Sequence, residues 1–355
     1  MSAKLPEEAL VVSRTLALGA AGGWLFSEVG LPLPWLTGPI AVTAVMAIAG
    51  LRVSIPAWIR PVIFLMLGVT IGSRVNEEMV ANLARWPASL GLLMLYLPVA
   101  IVTMYAYFRL VARAEPNTAL VSSTPGSMAY VLAYAAESGA DMRKVIVTQS
   151  VRLGILAMLL PVAVTQVAPL PEPTILPPSS PFDQIWLFAA AAVGSALAAW
   201  KIKVPAAPML GALTVTATLH ATRLNEAVPP HFAIVAAQIT LGSMIGGRLD
   251  GANRQELARV SLVGLGAVVV GIALSGLFAL IVDLLLGIEF AQALLAFAPG
   301  AIEAMALMAI TLHLDPAYVG AHHILRVMMM PLMISMTARW LIPKAAPSPL
   351  KHTKE

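Results

Sequence analysis

Arg152 and Arg326 each stand about nine residues inside a long apolar stretch. A guanidinium at such depth must face protein or water, because lipid cannot solvate it. Its planar fork matches a carboxylate or phosphate. Gln149 precedes Arg152 by three residues and His323 precedes Arg326 by three, so each lies on its arginine's helical face. His322 is also one turn from Arg326. Two readings stay open. The arginines bind a substrate carboxylate or other anion, or each ties down a neighbouring hairpin by bonding its free carbonyls.

Two Pro-Gly breaks accompany the arginines. The first is Ser122-Ser-Thr-Pro-Gly-Ser127 and the second is Phe297-Ala-Pro-Gly-Ala301. Proline donates no hydrogen bond and glycine permits a tight turn, so a helix is expected to begin just after each break. Its first N–H groups are then free and partly positive, which suits an anion. Ser123, Thr124, Gly126 and Ser127 form one expected half-site, and Pro299 and Gly300 form the other. The competing reading is a simple kink, since both residues are frequent in membrane helices. Glu303 either complements a helix dipole or carries a coupling H+ or Na+; its counterpart in the other break is Ala129. Asp141 and Asp315 precede the next helices and read first as caps, second as coupling-ion candidates.

These features recur because an offset of 174 residues superimposes the chain on itself. Leu67, Gly68, Ile71, Gly72 and Arg74 fall on Leu241, Gly242, Ile245, Gly246 and Arg248, and Arg152 falls on Arg326. Glycines four apart allow close helix packing. The chain is 59% hydrophobic and 11% charged, with a mean hydropathy of +0.85, whereas a soluble domain carries about 25% charge. An all-α polytopic membrane protein follows. Residues 1–168 are the first repeat, 169–182 a Pro-rich external linker, 183–343 the second repeat and 344–355 a cytoplasmic tail. Trp24, Trp35, Trp58, Trp86, Trp186, Trp200 and Trp340 sit near segment ends, as an interfacial belt requires. The first helix reads as retained rather than cleaved.

Loop charge decides the topology. Twelve crossings put 11 Lys and Arg inside and 9 outside. If both Pro-Gly segments enter and leave on one face, the count becomes 17 inside and 3 outside. The positive-inside rule favours the second arrangement. Each repeat then has five crossings and one re-entrant hairpin. Five is odd, so the repeats are inverted and both termini are cytoplasmic. Broken helices in paired copies are the usual sequence pointer to a transporter's binding site.

The duplicated Leu-Gly-x-x-Ile-Gly-x-Arg, the Thr-Pro-Gly and Ala-Pro-Gly turns, and Gly-Ala-Asp141 followed by Gln149 and Arg152 resemble the bacterial AbrB-type membrane protein family. The resemblance runs from about Leu16 to Leu341. It implies a duplicated membrane protein, distinct from the small DNA-binding proteins of the same name. Some members carry an ammonia monooxygenase label and one is described as a regulator of gene expression. The resemblance supplies no catalytic residues. The oxygenase label fits these residues poorly. A copper or iron site needs clustered His, Cys or carboxylate ligands, yet there is no cysteine, and of six histidines only His322 and His323 adjoin, about 100° apart on a helix.

The expected function is therefore secondary transport of a small organic anion or polar metabolite by alternating access, in a bacterial inner membrane. Coupling to H+ or Na+ is implied by the lack of a Gly-x-x-x-x-Gly-Lys-Ser/Thr motif. A membrane-embedded sensor that influences gene expression without transport is the alternative, and a membrane monooxygenase is a further one. No enzyme activity, catalytic residue, metal or cofactor is expected. The expected partners are the anionic solute, the coupling ion and membrane lipid. A homodimer is allowed, and nucleic acid is excluded because no basic recognition helix exists.

Overall fold

A computed structural model describes residues 4–73, 83–124, 128–167, 182–202, 207–225, 227–251 and 254–342. Most of these residues are helical, with no strand among them. The first seven helices are α1 (Lys4–Glu28), α2 (Pro34–Ile48), α3 (Arg60–Gly72), α4 (Trp86–Leu110), α5 (Pro116–Ser123), α6 (Met128–Ser138) and α7 (Met142–Val167). The next seven are α8 (Phe182–Lys201), α9 (Ala207–Ala221), α10 (His231–Gly246), α11 (Arg254–Leu286), α12 (Phe290–Phe297), α13 (Ile302–Thr311) and α14 (Pro316–Leu341). The two series correspond in order. Both ends of α5 and α12, and both ends of α7 and α14, stand 174 residues apart.

Among the described residues, six stretches are long and apolar enough to cross a bilayer: Glu7–Glu28, Trp86–Leu110, Met142–Gln166, His231–Leu249, Val260–Leu286 and Pro316–Leu341. Large apolar side chains such as Phe232, Leu262, Leu284 and Trp340 point outward. Water would penalise such a surface, and acyl chains do not. The chain is a multi-pass membrane protein. The first helix begins at Lys4, and the segment with Glu7 and Glu8 forms its polar first turns.

The two series interlock. The glycine-spaced face of α3 lies on α9, and that of α10 lies on α2. A Cβ on Gly242 or Gly246 would come 2.5 Å from the Leu36 or Ile40 carbonyl oxygen of α2. A Cβ on Gly72 would come 2.9 Å from the Leu213 carbonyl oxygen of α9. Each glycine pair thus admits the second helix of the opposite copy, not its own.

The corresponding helices α4 and α11 run antiparallel. Tyr96 at mid-α4 meets Ser275 at mid-α11, Oη to Oγ at 3.0 Å. Tyr107 near the end of α4 donates to the Val263 carbonyl near the start of α11 at 2.8 Å. By contrast, α14 runs parallel to α4. Ser89 meets Tyr318 near both starts, and Tyr105 donates to the Leu341 carbonyl near both ends. Of the short helices, α5 packs on α4 and α7, α6 on α7, α12 on α11 and α14, and α13 on α14 and α3.

Candidate functional site

The residue before a proline is pushed into extended backbone, and this ends both α5 and α12. Thr124 precedes Pro125 with ψ 117°, and Ala298 precedes Pro299 with ψ 139°. Each helix end leaves carbonyls without intrahelical donors, and at membrane depth no water replaces them. Side chains of the following long helix do so. Gln149 Nε2 lies 3.3 Å from the Val121 carbonyl oxygen, 3.4 Å from that of Ser122 and 3.1 Å from that of Thr124. Arg152 Nη1 donates to the Ser122 carbonyl at 3.3 Å, and Nη2 donates to Gln149 Oε1 at 2.5 Å.

The second copy repeats this scheme. His323 Nε2 donates to the Leu295 carbonyl at 3.0 Å. Arg326 Nη1 donates to the Ala298 carbonyl at 2.6 Å and Nη2 to that of Gly300 at 3.5 Å, while Nη2 also contacts His323 Nδ1. Because Nδ1 faces a guanidinium that can only donate, and Nε2 faces a carbonyl that can only accept, His323 is neutral with its proton on Nε2.

These bonds satisfy hydrogens, not charge. Both arginines are 2% exposed and lie within each other's Coulombic reach. Neither has a carboxylate partner among the described residues. Arg152 Nε is buried and has no hydrogen-bond partner among the described residues. Beside Arg152 is a cavity of about 10 Å³, room for about one water. Arg152 and Ser123 line it from the first copy, Gly271 and Pro299 from the second, and Tyr96 closes one wall. Tyr96 is held by Ser275, which lies 3.2 Å from the Phe297 carbonyl oxygen at the second break.

The other expected site residues divide. Gly126 and Ser127 lie outside the described residues. The hydroxyls of Ser123 and Thr124 turn back onto the Leu120 carbonyl at 2.6 and 2.9 Å. Glu303 is 3% exposed and lies in the first turn of α13. Its Oε1 accepts from Arg60 Nη2 at 2.7 Å and Nε at 3.1 Å. Asp315 accepts the Ala317 and Tyr318 N–H groups as the cap of α14, and Asp141 accepts that of Lys144 at the start of α7. Neither aspartate lines the cavity. Hydrogen bonds and the Lys144 ammonium hold the Asp141 carboxyl below its ordinary value. No three His, Cys, Asp or Glu side chains converge as metal ligands among the described residues.

Tyr96, Ser275 and Arg60 were not expected at the site. Tyr96 and Ser275 had a sequence signal, as hydroxyls in the middle of long apolar helices. Arg60 had none, since 243 residues separate it from Glu303.

The family model described as "Transition state regulatory protein AbrB" matches residues 2–79 and 35–342. A Bacillus subtilis (strain 168) protein titled "Uncharacterized protein YhjN" is 27% identical over 348 residues, covering 88% of each chain. An Escherichia coli (strain K12) protein titled "Putative regulator AbrB" is 25% identical over 332 residues, covering 89% of this chain and 90% of the other. No solved structure matches the chain.

Proposed function

The chain belongs to the AbrB family, and from that premise we propose that it is an ion-coupled secondary transporter of a small organic anion. One observation carries the reading. Two buried guanidiniums sit within Coulombic reach of each other, and Arg152 lines a cavity bordered by both Pro-Gly breaks, with no carboxylate paired to either among the described residues. An uncompensated buried charge is strongly unfavourable, and an anion bearing carboxylate or phosphonate oxygens relieves it. The free Nε of Arg152 is a donor for such a group.

The architecture supports alternating access. α5 has 8 residues and α12 has 8, about 12 Å each, too short for a hydrocarbon core of about 30 Å. Paired with α6 and α13, they make two re-entrant hairpins. The antiparallel course of α4 and α11 supports inverted repeats of five crossings each. A cavity sized for about one water is an occluded state, so an organic anion binds when the hairpins part. Both termini are cytoplasmic in this reading and the membrane is the bacterial inner membrane. Labelling of single cysteines at positions 144 and 113 from the cytoplasmic side only is expected; external labelling of either overturns the topology.

The names given to the family and to the Escherichia coli relative favour a second reading, a membrane sensor that keeps the anion pocket and does not transport. Thermal-shift screening with succinate, glutamate, inorganic phosphate and methylphosphonate tests the pocket. Arg152→Ala is expected to abolish the shift; a folded variant that binds unchanged assigns Arg152 to architecture alone. Uptake of the binding probe into proteoliposomes under a pH or sodium gradient supports the transporter. Binding without uptake supports the sensor.

A further inference from the structure

We propose that His322 is the proton-coupling group, charged at Nε2 through a buried relay formed by Tyr318 and Ser89. The proposal rests on the anion-transporter reading and adds the ion and the residue to it.

All three side chains are fully buried. His322 Nδ1 lies 2.9 Å from the Tyr318 carbonyl oxygen, one turn back, so Nδ1 carries the proton and Nε2 is the open acceptor. Ser89 Oγ lies 2.9 Å from that Nε2 and 2.5 Å from Tyr318 Oη. The row therefore reads Tyr318 O–H to Ser89, then Ser89 O–H to His322. A proton delivered from water to Tyr318 Oη displaces the tyrosine's own proton to Ser89 Oγ. Ser89's proton then passes to Nε2. The O–H bonds broken on Tyr318 and Ser89 are each replaced by a new one, so the net change is one hydronium O–H bond broken and one N–H bond formed. The row ends reversed, with His322 donating to Ser89 and Ser89 to Tyr318. Hydroxyls can turn from donor to acceptor, so the protonated state keeps its hydrogen bonds.

His323 cannot do the same. Protonating its Nδ1 would aim an N–H at the Arg326 guanidinium. Its bonding duty is met by Gln149 in the first copy, so architecture does not require a titratable group there. His322, Tyr318 and Ser89 correspond to Thr148, Lys144 and Val263, so the relay, built from two residues of the second copy and one of the first, is not repeated at the corresponding positions.

The charged and titratable groups around His322 explain the coupling. α14 itself contributes Tyr318, His323, Arg326 and the capping Asp315. α4 contributes Tyr96, which reaches Arg326 and Arg152 of α7. Glu303 of α13 is occupied by Arg60 of α3, and α5 and α12 contain no titratable side chain. A proton on His322 therefore adds positive charge beside Arg326 that no free carboxylate among these groups cancels. Anion binding favours that proton, and the proton favours the anion, by the same factor.

The test uses the full chain in detergent with succinate, glutamate, inorganic phosphate and methylphosphonate as probes. Wild type is expected to take up about one proton per chain from weakly buffered solution when a probe binds, with affinity changing by up to roughly tenfold per pH unit. His322→Gln is expected to bind the probe without proton uptake and without this pH dependence. Tyr318→Phe, which keeps the ring and breaks the relay, is expected to slow proton uptake at least tenfold. Probe binding by wild type with no proton uptake, or undiminished uptake by folded His322→Gln, overturns the role of His322 and leaves the anion site standing. If His322→Gln does not fold, undiminished uptake rate in Tyr318→Phe overturns the relay. No probe effect at any pH overturns the anion reading itself, and this proposal with it.

Discussion

Gln149 and His323 hold corresponding places 174 residues apart and donate to corresponding carbonyls, those of Val121 and Leu295. An amide and a neutral imidazole thus perform one task. Each closes the frayed end of a short helix and accepts a hydrogen bond from the arginine three residues on. The shared need is an N–H donor and an acceptor separated across a small planar group.

His323→Gln is accordingly expected to fold with a stability within about 1 kcal/mol of wild type, because an amide offers both functions. His323→Ala leaves the Leu295 carbonyl without this donor, and is expected to cost about 1–3 kcal/mol. Thermal unfolding of the two variants in one detergent checks the order. Equal losses would show that ring packing, not the hydrogen bonds, matters at this position.

The Arg60–Glu303 pair joins α3 to the first turn of α13, and it has no counterpart, since Ile234 and Ala129 hold the corresponding positions. Truncating one partner of a buried pair costs about 3–5 kcal/mol. The Arg60 side chain is 53% exposed, so solvent screening lowers the expected loss for Arg60→Ala to about 1–2 kcal/mol. Arg248, within Coulombic reach of Glu303, offsets part of it. Adding Glu303→Gln removes the stranded carboxylate and should restore at least half of the lost stability. A double variant no better than Arg60→Ala would mean that the arginine acts through its packing over Phe64.

What could be read beforehand follows from the range of each force. Pro125 and Pro299 act on their immediate neighbours, so the ends of α5 and α12 are legible from sequence, as are the caps at Asp141 and Asp315. The depth of Arg152 and Arg326 marks the candidate site, because the bilayer makes a charged residue there expensive. Spatial pairings were not legible. Nothing local joins Arg60 to Glu303, Tyr96 to Ser275 or Ser89 to His322, since those pairings depend on how long helices cross. Of the two arginine readings left open by the sequence, the structure contains the carbonyl bonds, made by the Nη atoms at the ends of α5 and α12. The anion reading is the proposal made above, and it draws on the unpartnered Nε of Arg152.

Glycine-spaced faces make a sign-dependent prediction. Gly242→Ala would drive its methyl against the Leu36 carbonyl of α2, which belongs to a helix backbone and cannot rotate away. A loss of about 1–3 kcal/mol is expected. Gly154 in α7 and Gly91 in α4 have nothing within 4 Å of the added Cβ. Alanine there meets no neighbour and removes glycine's backbone freedom in the unfolded chain. A gain of about 0.4–1 kcal/mol is expected. Unfolding midpoints of the three single variants decide it. A stable Gly242→Ala would mean that α2 and α10 are further apart than described.

Asp141 supplies the acid limb of the stability curve. Its carboxylate accepts the Lys144 backbone N–H at 3.1 Å and faces the Lys144 ammonium at 3.0 Å, which hold its folded value below the ordinary 3.8. A depressed carboxyl stabilises the fold at pH above the unfolded value, and that contribution is lost as pH falls through the folded value. Asn keeps the capping bond and discards the charge. Wild type and Asp141→Asn should therefore differ most near neutral pH and converge as the pH drops below about 4. High salt should shrink the difference at neutral pH, because the ammonium partner is exposed. A gap between the two melting curves that stays constant from pH 6 to pH 3 would show that Asp141 has the same carboxyl affinity for protons folded and unfolded. The start of α7 would then be held by the Thr118 hydroxyl on the Asp141 N–H, at 3.0 Å, rather than by charge.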